Sequence, residues 1–524
     1  MKKFRLNIDG KEVLGIPGQT ILEVAKENEI EIPTFCFDER TKIYGSCGIC
    51  VCEVEGNPKL VKACATEIAP GMVVRTNTES VIESRKTNLE LLLSDHVGDC
   101  RPPCVLGCPA QTDCQGYAGL IANGEYTEAL DLIKNKIPFP GSLGRVCPHP
   151  CETECRRGLI DEPVSIQMLK RFAAENGQAD PEMLIPEPEE LTGKSVAVIG
   201  GGPMGLSAAF FLRQLGHDVT VFESMPKAGG MLRYGIPEYR LPKEVVDEEV
   251  ELIEEIGVEV ITDTKVGEDI PFETVRSDFD AVLLGIGAWT STGVGCKGED
   301  AQGVIGGIDL LRKVVRNEPI KIGKKVAVVG GGNTAMDACR TAVRLGADKV
   351  YNIYRRTKEE MPADMVEIVE AEEEGVIFKN LTNPIEFKKD KDGHVKEVLL
   401  QVMELGEPDE SGRRRPVPVE GKTETIEIDN VILAIGQAVD SRIFKGIDKT
   451  KKGALAYDED TFMTSMEGVF AGGDCGNDKI SIAVEAIADA KKASMVIDAY
   501  LAGEKIRYSK PYVVQRDDIT EKTF

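Results

Sequence analysis

Two glycine-rich loops, each set between an apolar strand and a helix, constrain this chain more than any other feature. The first follows Val196–Ile199 and reads Gly200-Gly201-Gly202-Pro203-Met204-Gly205, ahead of a helix over 206–215 and a strand, Val219–Phe222, that ends at Glu223. The second follows Val326–Val329 and reads Gly330-Gly331-Gly332-Asn333-Thr334-Ala335, ahead of a helix to Leu345 and a strand over 350–354. Glycines at these places let backbone N–H groups meet a pyrophosphate at a helix N-terminus, so both segments predict Rossmann-like α/β domains that hold dinucleotides. Glu223 stands 21 residues after Gly202, where a carboxylate can accept from ribose hydroxyls. The second segment ends instead in Arg355-Arg356-Thr357. Two guanidiniums in place of an acid predict bidentate capture of a 2′-phosphate, hence NADP(H) rather than NAD(H); solvated surface arginines are the alternative.

The two domains are nested. Asp280–Ala288 reads as a strand and turn of the first, and so does Val469–Asp474, which a helix from Ile482 follows. The first domain therefore covers 186–290 and 437–508, interrupted by the second over 291–436, which closes at Ala434-Ile435-Gly436.

Of the 15 cysteines, twelve precede residue 156. In that number, with an N-terminus that runs straight into an alternating strand and leaves no room for a signal peptide, they point to iron–sulfur clusters or zinc rather than disulfides. Phe4, Leu6 and Ile8 alternate with polar residues, Asp9-Gly10 turns the chain into Val13–Ile16, and Thr20 caps a helix through Ile21, Val24 and Ala25 that Pro33 closes off. Cys36, Cys47, Cys50 and Cys64 follow as C-x10-C-x2-C-x13-C, with small residues in Gly45-Ser46-Cys47-Gly48 to admit backbone amides to a cluster. Four thiolates of this kind suit a [2Fe–2S] centre. A zinc ribbon needs two C-x2-C knuckles and only one is present; a thioredoxin-like pair at Cys47 and Cys50 lacks its βαβ setting. Cys52, out of phase with Cys50, reads as a small buried residue.

The second run is Cys100, Cys104, Cys108 and Cys114, then Cys147, Cys151 and Cys155, with Asn123-Gly124 splitting the helical stretch between them. Residues 1–80 and 81–185 thus form two cysteine-bearing domains ahead of the nucleotide domains, and 509–524 is a tail.

The first run, through Val54-Glu55-Gly56, Lys62-Ala63-Cys64-Ala65-Thr66 and the 85–96 stretch that ends at His96, resembles the β-grasp [2Fe–2S] domain of the complex I large iron–sulfur subunit and of iron hydrogenases. From about residue 100 to 508 the chain resembles the small subunit of glutamate synthase. Dihydropyrimidine dehydrogenase and the large subunit of NADH-dependent ferredoxin:NADP oxidoreductase share that likeness. The motif Gly229-Gly-Met-Leu-Arg-Tyr-Gly-Ile-Pro-Glu-Tyr-Arg-Leu-Pro242 narrows the match. This resemblance implies two [4Fe–4S] clusters in the helical domain: a proximal one on Cys108, Cys147 and Cys151, and a distal one on Cys100, Cys104 and Cys155. Two departures follow. The family's first cysteine is replaced by His96, and its downstream Gln/Glu ligand falls on Lys170, a poor iron ligand; Cys114 is the spare thiolate, with Gln167 a weaker candidate. His96 therefore completes the distal set and Cys114 the proximal one. The resemblance further implies FAD contacts from Gly200, Gly202, Pro203, Met204, Gly205, Glu223, Gly230, Met231, Arg240, Val266, Gly287, Gly473, Asp474 and Ile482. For NADP(H) it implies Gly330, Gly332, Asn333, Thr334, Ala335, Arg355, Arg356, Ala434, Ile435 and Gly436.

No side-chain catalyst is required, because the cofactors carry the chemistry. The expected function is NADP(H)-linked electron transfer through FAD and clusters to or from a redox partner: a glutamate synthase large subunit, a formate dehydrogenase, a hydrogenase or a ferredoxin-type protein. The alternative is a non-catalytic relay or scaffold subunit. A disulfide reductase is rejected, since Cys339 stands alone on the helix after the second loop. A net charge of −25 argues against nucleic acid and against steering of acidic carriers, and apolar runs no longer than a strand, with no room for a signal peptide, lead us to expect a cytoplasmic hetero-oligomer without a membrane span.

Overall fold

The computed structural model describes residues 3–38, 42–94, 99, 101–184, 190–408 and 414–504. His96, Cys100 and the tail 509–524 lie outside the described residues. The chain divides into two compact units that part between residues 99 and 100.

In the first unit, Phe4–Ile8 and Lys11–Gly15 form a hairpin whose turn residues Asp9 and Gly10 both have positive φ, 49° and 87°. That is the type I′ geometry that matches strand twist. Val73–Arg75 runs parallel to Phe4–Ile8 and antiparallel to Val51–Val54, which pairs with Val61–Lys62. Such a mixed sheet, with a helix on one face, is the β-grasp arrangement. The helix Ile21–Glu27 starts with a full capping box between Thr20 and Glu23 and buries Ile21, Leu22, Val24 and Ala25. Cys52 lies in this core, fully buried.

The second unit begins with short helices. Cys114–Ala122 and Tyr126–Lys134 meet at Gly124, whose φ of +83° only glycine takes readily. Ile166–Asn176 packs on Pro140–Val146 so closely that a Cβ on Gly144 would fall 2.6 Å from the Arg171 Cα. Two parallel five-stranded sheets follow. One orders Val469–Ala471, Ala281–Leu284, Ser195–Ile199, Asp218–Phe222 and Glu259–Ile261. The other orders Val304–Gly306, Asn430–Leu433, Lys325–Val329, Lys349–Ile353 and Ile377–Lys379. The central strands are buried over nearly their whole length, as helix-covered parallel sheets require. Thr290–Ser291 and Gln437–Ala438, antiparallel to each other, are the two crossings between the sheets. An antiparallel sheet of Thr382–Lys389, Val395–Pro408 and Arg414–Glu427 extends the second nucleotide domain.

Glu249, on the helix Lys243–Glu255, joins the helical domain to the first sheet's domain. Its buried carboxylate accepts from the N–H groups of Gly141 (2.6 Å) and Ser142 (3.2 Å) and from the Ser142 hydroxyl (2.5 Å). Burial pushes its pKa up to about 7, against the pull of Ser142 and of the buried Lys134 ammonium. Among the described residues no helix is long and apolar enough to cross a membrane.

Candidate nucleotide and iron–sulfur sites

The first glycine loop opens a cavity of about 830 Å³. Gly200, Gly202, Pro203, Met204, Glu223, Gly230, Met231, Arg240, Val266, Gly287, Asp474 and Ile482 line it; Gly205 and Gly473 do not. Gly205 serves the helix instead, since a Cβ there would fall 1.9 Å from the Gly200 carbonyl oxygen. Glu223 is buried, accepts from the N–H groups of Gly201 (2.8 Å) and Met225 (2.7 Å), and is driven up in pKa by desolvation. Asp474 is likewise raised by burial and accepts from Ser481 N–H at 2.9 Å. Arg240 reaches the cavity wall, yet its guanidinium is committed elsewhere: Nη1 meets Asp337 Oδ2 at 2.9 Å and Nε meets Glu367 Oε1 at 2.7 Å. Both carboxylates belong to the second nucleotide domain, so Arg240 ties the two domains together.

A second cavity, of about 660 Å³, lies over the other loop. Gly330, Gly332, Thr334, Arg355, Arg356, Ala434, Ile435 and Gly436 line it. Asn333 faces the first cavity and accepts from Asp364 N–H at 2.9 Å, while Ala335 is buried in the core. The two arginines differ. Arg356 is buried and donates Nε to the Arg414 carbonyl at 2.8 Å, whereas Arg355 is exposed. Arg355→Ala is therefore the cleaner test of 2′-phosphate selection. It should lower kcat/KM for NADPH about tenfold or more while sparing NADH, a charge-assisted contact being worth roughly 1.5–3 kcal/mol. An unchanged NADPH/NADH ratio would refute the assignment.

Ser291, Ile308, Thr334, Gln437 and Ile480 line both cavities, which therefore adjoin across the crossing strands. Trp289 and Asp337 also line the first cavity, and neither belongs to a motif that sequence reasoning singled out. The one available signal was a pair of opposite charges, Asp337 and Arg340, among the mostly apolar buried residues of the helix Asn333–Arg344.

In the first unit the expected thiols gather. The sulfurs of Cys50 and Cys64 are 3.3 Å apart, and burial together with the neighbouring Cys50, Cys36 and Cys47 pushes Cys64 up to about 12. The backbone N–H of Cys47 draws Cys36 down to about 7. Asn88 and Arg85, on the helix Glu79–Ser94, hold this segment through the Gly48 (3.0 Å) and Val51 (2.8 Å) carbonyls.

In the helical domain, Cys108, Cys114, Cys147 and Cys151 are all buried and line one cavity, together with Lys170 and Val484. The Cys114 thiol donates to the Cys104 carbonyl at 3.7 Å, and its closeness to the thiols of Cys104, Cys108 and Cys151 raises its own pKa while drawing Cys108 down to about 5 and Cys104 to about 7. Cys104, expected among the distal ligands, is thus a direct neighbour of Cys114. Cys155 is half-buried ahead of the turn Arg156–Leu159. Gln167 donates its amide to the Cys147 carbonyl at 2.7 Å and so is committed to the backbone. Among the described residues no group of three or more His, Cys, Asp or Glu closes on a single metal ion. Four buried thiols around one space suit a multi-iron cluster, whose iron atoms each take one thiolate. Cys339 is buried and accepts from the Asn352 amide.

Residues 194–490 match the pyridine nucleotide-disulphide oxidoreductase family, 1–79 the 2Fe-2S iron-sulfur cluster binding domain, and 74–181 the dihydropyrimidine dehydrogenase domain II, 4Fe-4S cluster. The NADP(+)-dependent formate dehydrogenase subunit beta of Moorella thermoacetica is 44% identical over 428 residues, 76% of this chain and 60% of that protein. The glutamate synthase [NADPH] small chain of Escherichia coli strain K12 is 36% identical over 418 residues, 75% of this chain and 87% of that one. Mycobacterium tuberculosis FprA in complex with NADPH superimposes with a TM-score of 0.52 at 19% identity, over 61% of this chain and 87% of its own. That likeness is one of fold.

Proposed function

Because the chain belongs to the pyridine nucleotide-disulphide oxidoreductase family, we propose that it is the NADP(H)-linked FAD and iron–sulfur subunit of a larger redox complex. FAD fits the first cavity, whose loop has a φ of +108° at Gly200 and no room for a Cβ beside the Gly285 carbonyl. NADP(H) fits the second. Bound FAD would supply hydride acceptance and one-electron release, and bound clusters one-electron carriage.

One observation carries the reading. Val146 lines the first cavity and the next residue is Cys147; Ile482, Ala483 and Ala486 line it too, while Val484 of the same segment lines the thiol cavity. Hydride chemistry and thiol ligands are thus set back to back on shared elements, which supports electron exit through Cys147. Within this arrangement the second loop and Arg355 bind the nucleotide, the crossing strands orient its nicotinamide end toward the first cavity, and Glu223 and Asp474 anchor the flavin nucleotide. Two [4Fe–4S] clusters are proposed, the distal one drawing on Cys104, Cys155, Cys100 and His96. Cys36, Cys47, Cys50 and Cys64 hold the [2Fe–2S] centre.

The partner is proposed to be a fixed subunit. A chain of net charge −25 repels an acidic shuttle over about 8–10 Å at physiological salt, so encounters would be unsteered. The relatives whose names include a formate dehydrogenase and a glutamate synthase chain support a partnered subunit and leave its identity to experiment.

NADPH added anaerobically to purified protein should bleach the flavin absorbance and raise EPR signals from reduced clusters. Failure of both would favour a non-catalytic relay. Cys50→Ser should then abolish the [2Fe–2S] signal and partner reduction while NADPH-to-dye transfer continues. Full partner activity in that variant would place the electron exit elsewhere.

A further inference from the structure

Lys170 is 6% exposed on the helix Ile166–Asn176 and lines the cavity that Cys108, Cys114, Cys147 and Cys151 share. An ammonium removed from water requires a counter-charge. Two other buried cations have carboxylates: Arg233 meets Asp247 at 2.5 Å, and Arg340 meets Glu367 at 2.5 Å. No carboxylate among the described residues lies within ion-pair distance of Lys170; the polar side chains that line the cavity with it are the four thiols, Thr112 and Tyr117. Its position is fixed, because the close approach at Gly144 pins its helix to the one that leads into Cys147.

We propose that Lys170 is the counter-cation of this thiol site and sets the potential at which the cluster held there accepts an electron, provided that Cys108, Cys114, Cys147 and Cys151 are its ligands. Reduction transfers one electron from the reduced flavin and adds one unit of negative charge to the site, with no bond made or broken. A buried ammonium stabilises the more negative state more than the less negative one, so it raises the potential. It also explains how four thiolates can be used here: the negative charge of the fourth, Cys114, is balanced from within the fold. Other cations are more distant from this function. Arg145 is held by Glu175 at 2.7 Å, and Lys134 faces Glu249.

Lys170→Met and Lys170→Gln both remove the charge and shorten the side chain by only one atom, the first apolar and the second polar. In the full-length, cluster-loaded protein, an anaerobic redox titration followed by EPR should show one cubane signal shifted to lower potential. The expected shift is at least about tenfold in the reduction equilibrium, equivalent to about 59 mV for one electron. Iron and sulfide content should match the parent protein, and the [2Fe–2S] signal in the same sample should keep its midpoint. An unshifted cubane midpoint at full iron content overturns the proposal. Loss of that cluster's iron in both variants overturns it too, by making the lysine a requirement for assembly rather than for potential. Iron near about two per chain in the parent protein would sink the cluster assignment itself, a failure distinct from the other two.

Discussion

Cys114→Ala should strip the chain of its proximal [4Fe–4S] cluster and cut the path between flavin and the remaining clusters. About ten iron atoms per chain are expected from one [2Fe–2S] and two [4Fe–4S] centres, so the variant should fall by roughly four. NADPH should still bleach the flavin, because neither nucleotide cavity is lined by Cys114. The reduced flavin should then no longer generate the [2Fe–2S] EPR signal. The thiol is buried, donates to the Cys104 carbonyl at 3.7 Å, and shares a cavity with Cys108, Cys147 and Cys151. A cysteine that only filled space would cost about 1 kcal/mol on truncation and leave the iron untouched. Full iron content in the variant would therefore return Cys114 to the role of a core residue.

Much of this architecture could be read from local sequence, because each dinucleotide domain is announced within a few dozen residues. A buried strand, glycines, a helix and a second strand follow in order, and their spacing leaves few alternatives. The same holds for the hairpin at Asp9-Gly10 and the capping box at Thr20 and Glu23. Non-local pairing was not legible. Nothing near Glu249 in the sequence shows that its carboxylate will meet Gly141 and Ser142, more than one hundred residues away. The antiparallel sheet Thr382–Glu427 gave no motif of its own, since its alternation resembles that of any half-exposed strand. Lys170 stood out in the sequence as a misfit in a ligand position, and only its burial against thiols gives it a physical role. Arg240 shows the limit most clearly. Its motif suggested a flavin contact, but a motif does not say which of two neighbouring charges a guanidinium will satisfy.

Arg240→Ala should destabilise the joint between the two nucleotide domains by about 3–5 kcal/mol, the usual cost of leaving a buried carboxylate without its partner. Nη1 lies 3.1 and 2.9 Å from the two oxygens of Asp337, and Nε lies 2.7 Å from Glu367. Lysine cannot reproduce that fork, so Arg240→Lys should recover little. Tyr239 is held next to it beneath the Arg340 and Arg344 guanidiniums, 4.6 and 3.9 Å from its ring centroid, and this stacking should limit how far the domains separate. The pH dependence identifies the mechanism. Burial, opposed by Arg240, pushes Asp337 up to about 7, above its value in the unfolded chain. A carboxyl raised on folding favours the folded state at low pH, and that advantage is lost as pH rises through about 7. Removing Arg240 raises Asp337 further, so the loss extends to higher pH and the variant is penalised most where the carboxylate must be charged. Thermal unfolding should therefore show a small difference from the parent near pH 5 and the full difference near pH 8. Stopped-flow reduction of the flavin by NADPH should slow over the same range, because the shared wall of the two cavities depends on the angle that this ion pair fixes. A difference that does not vary with pH would show that Arg240 acts by packing alone.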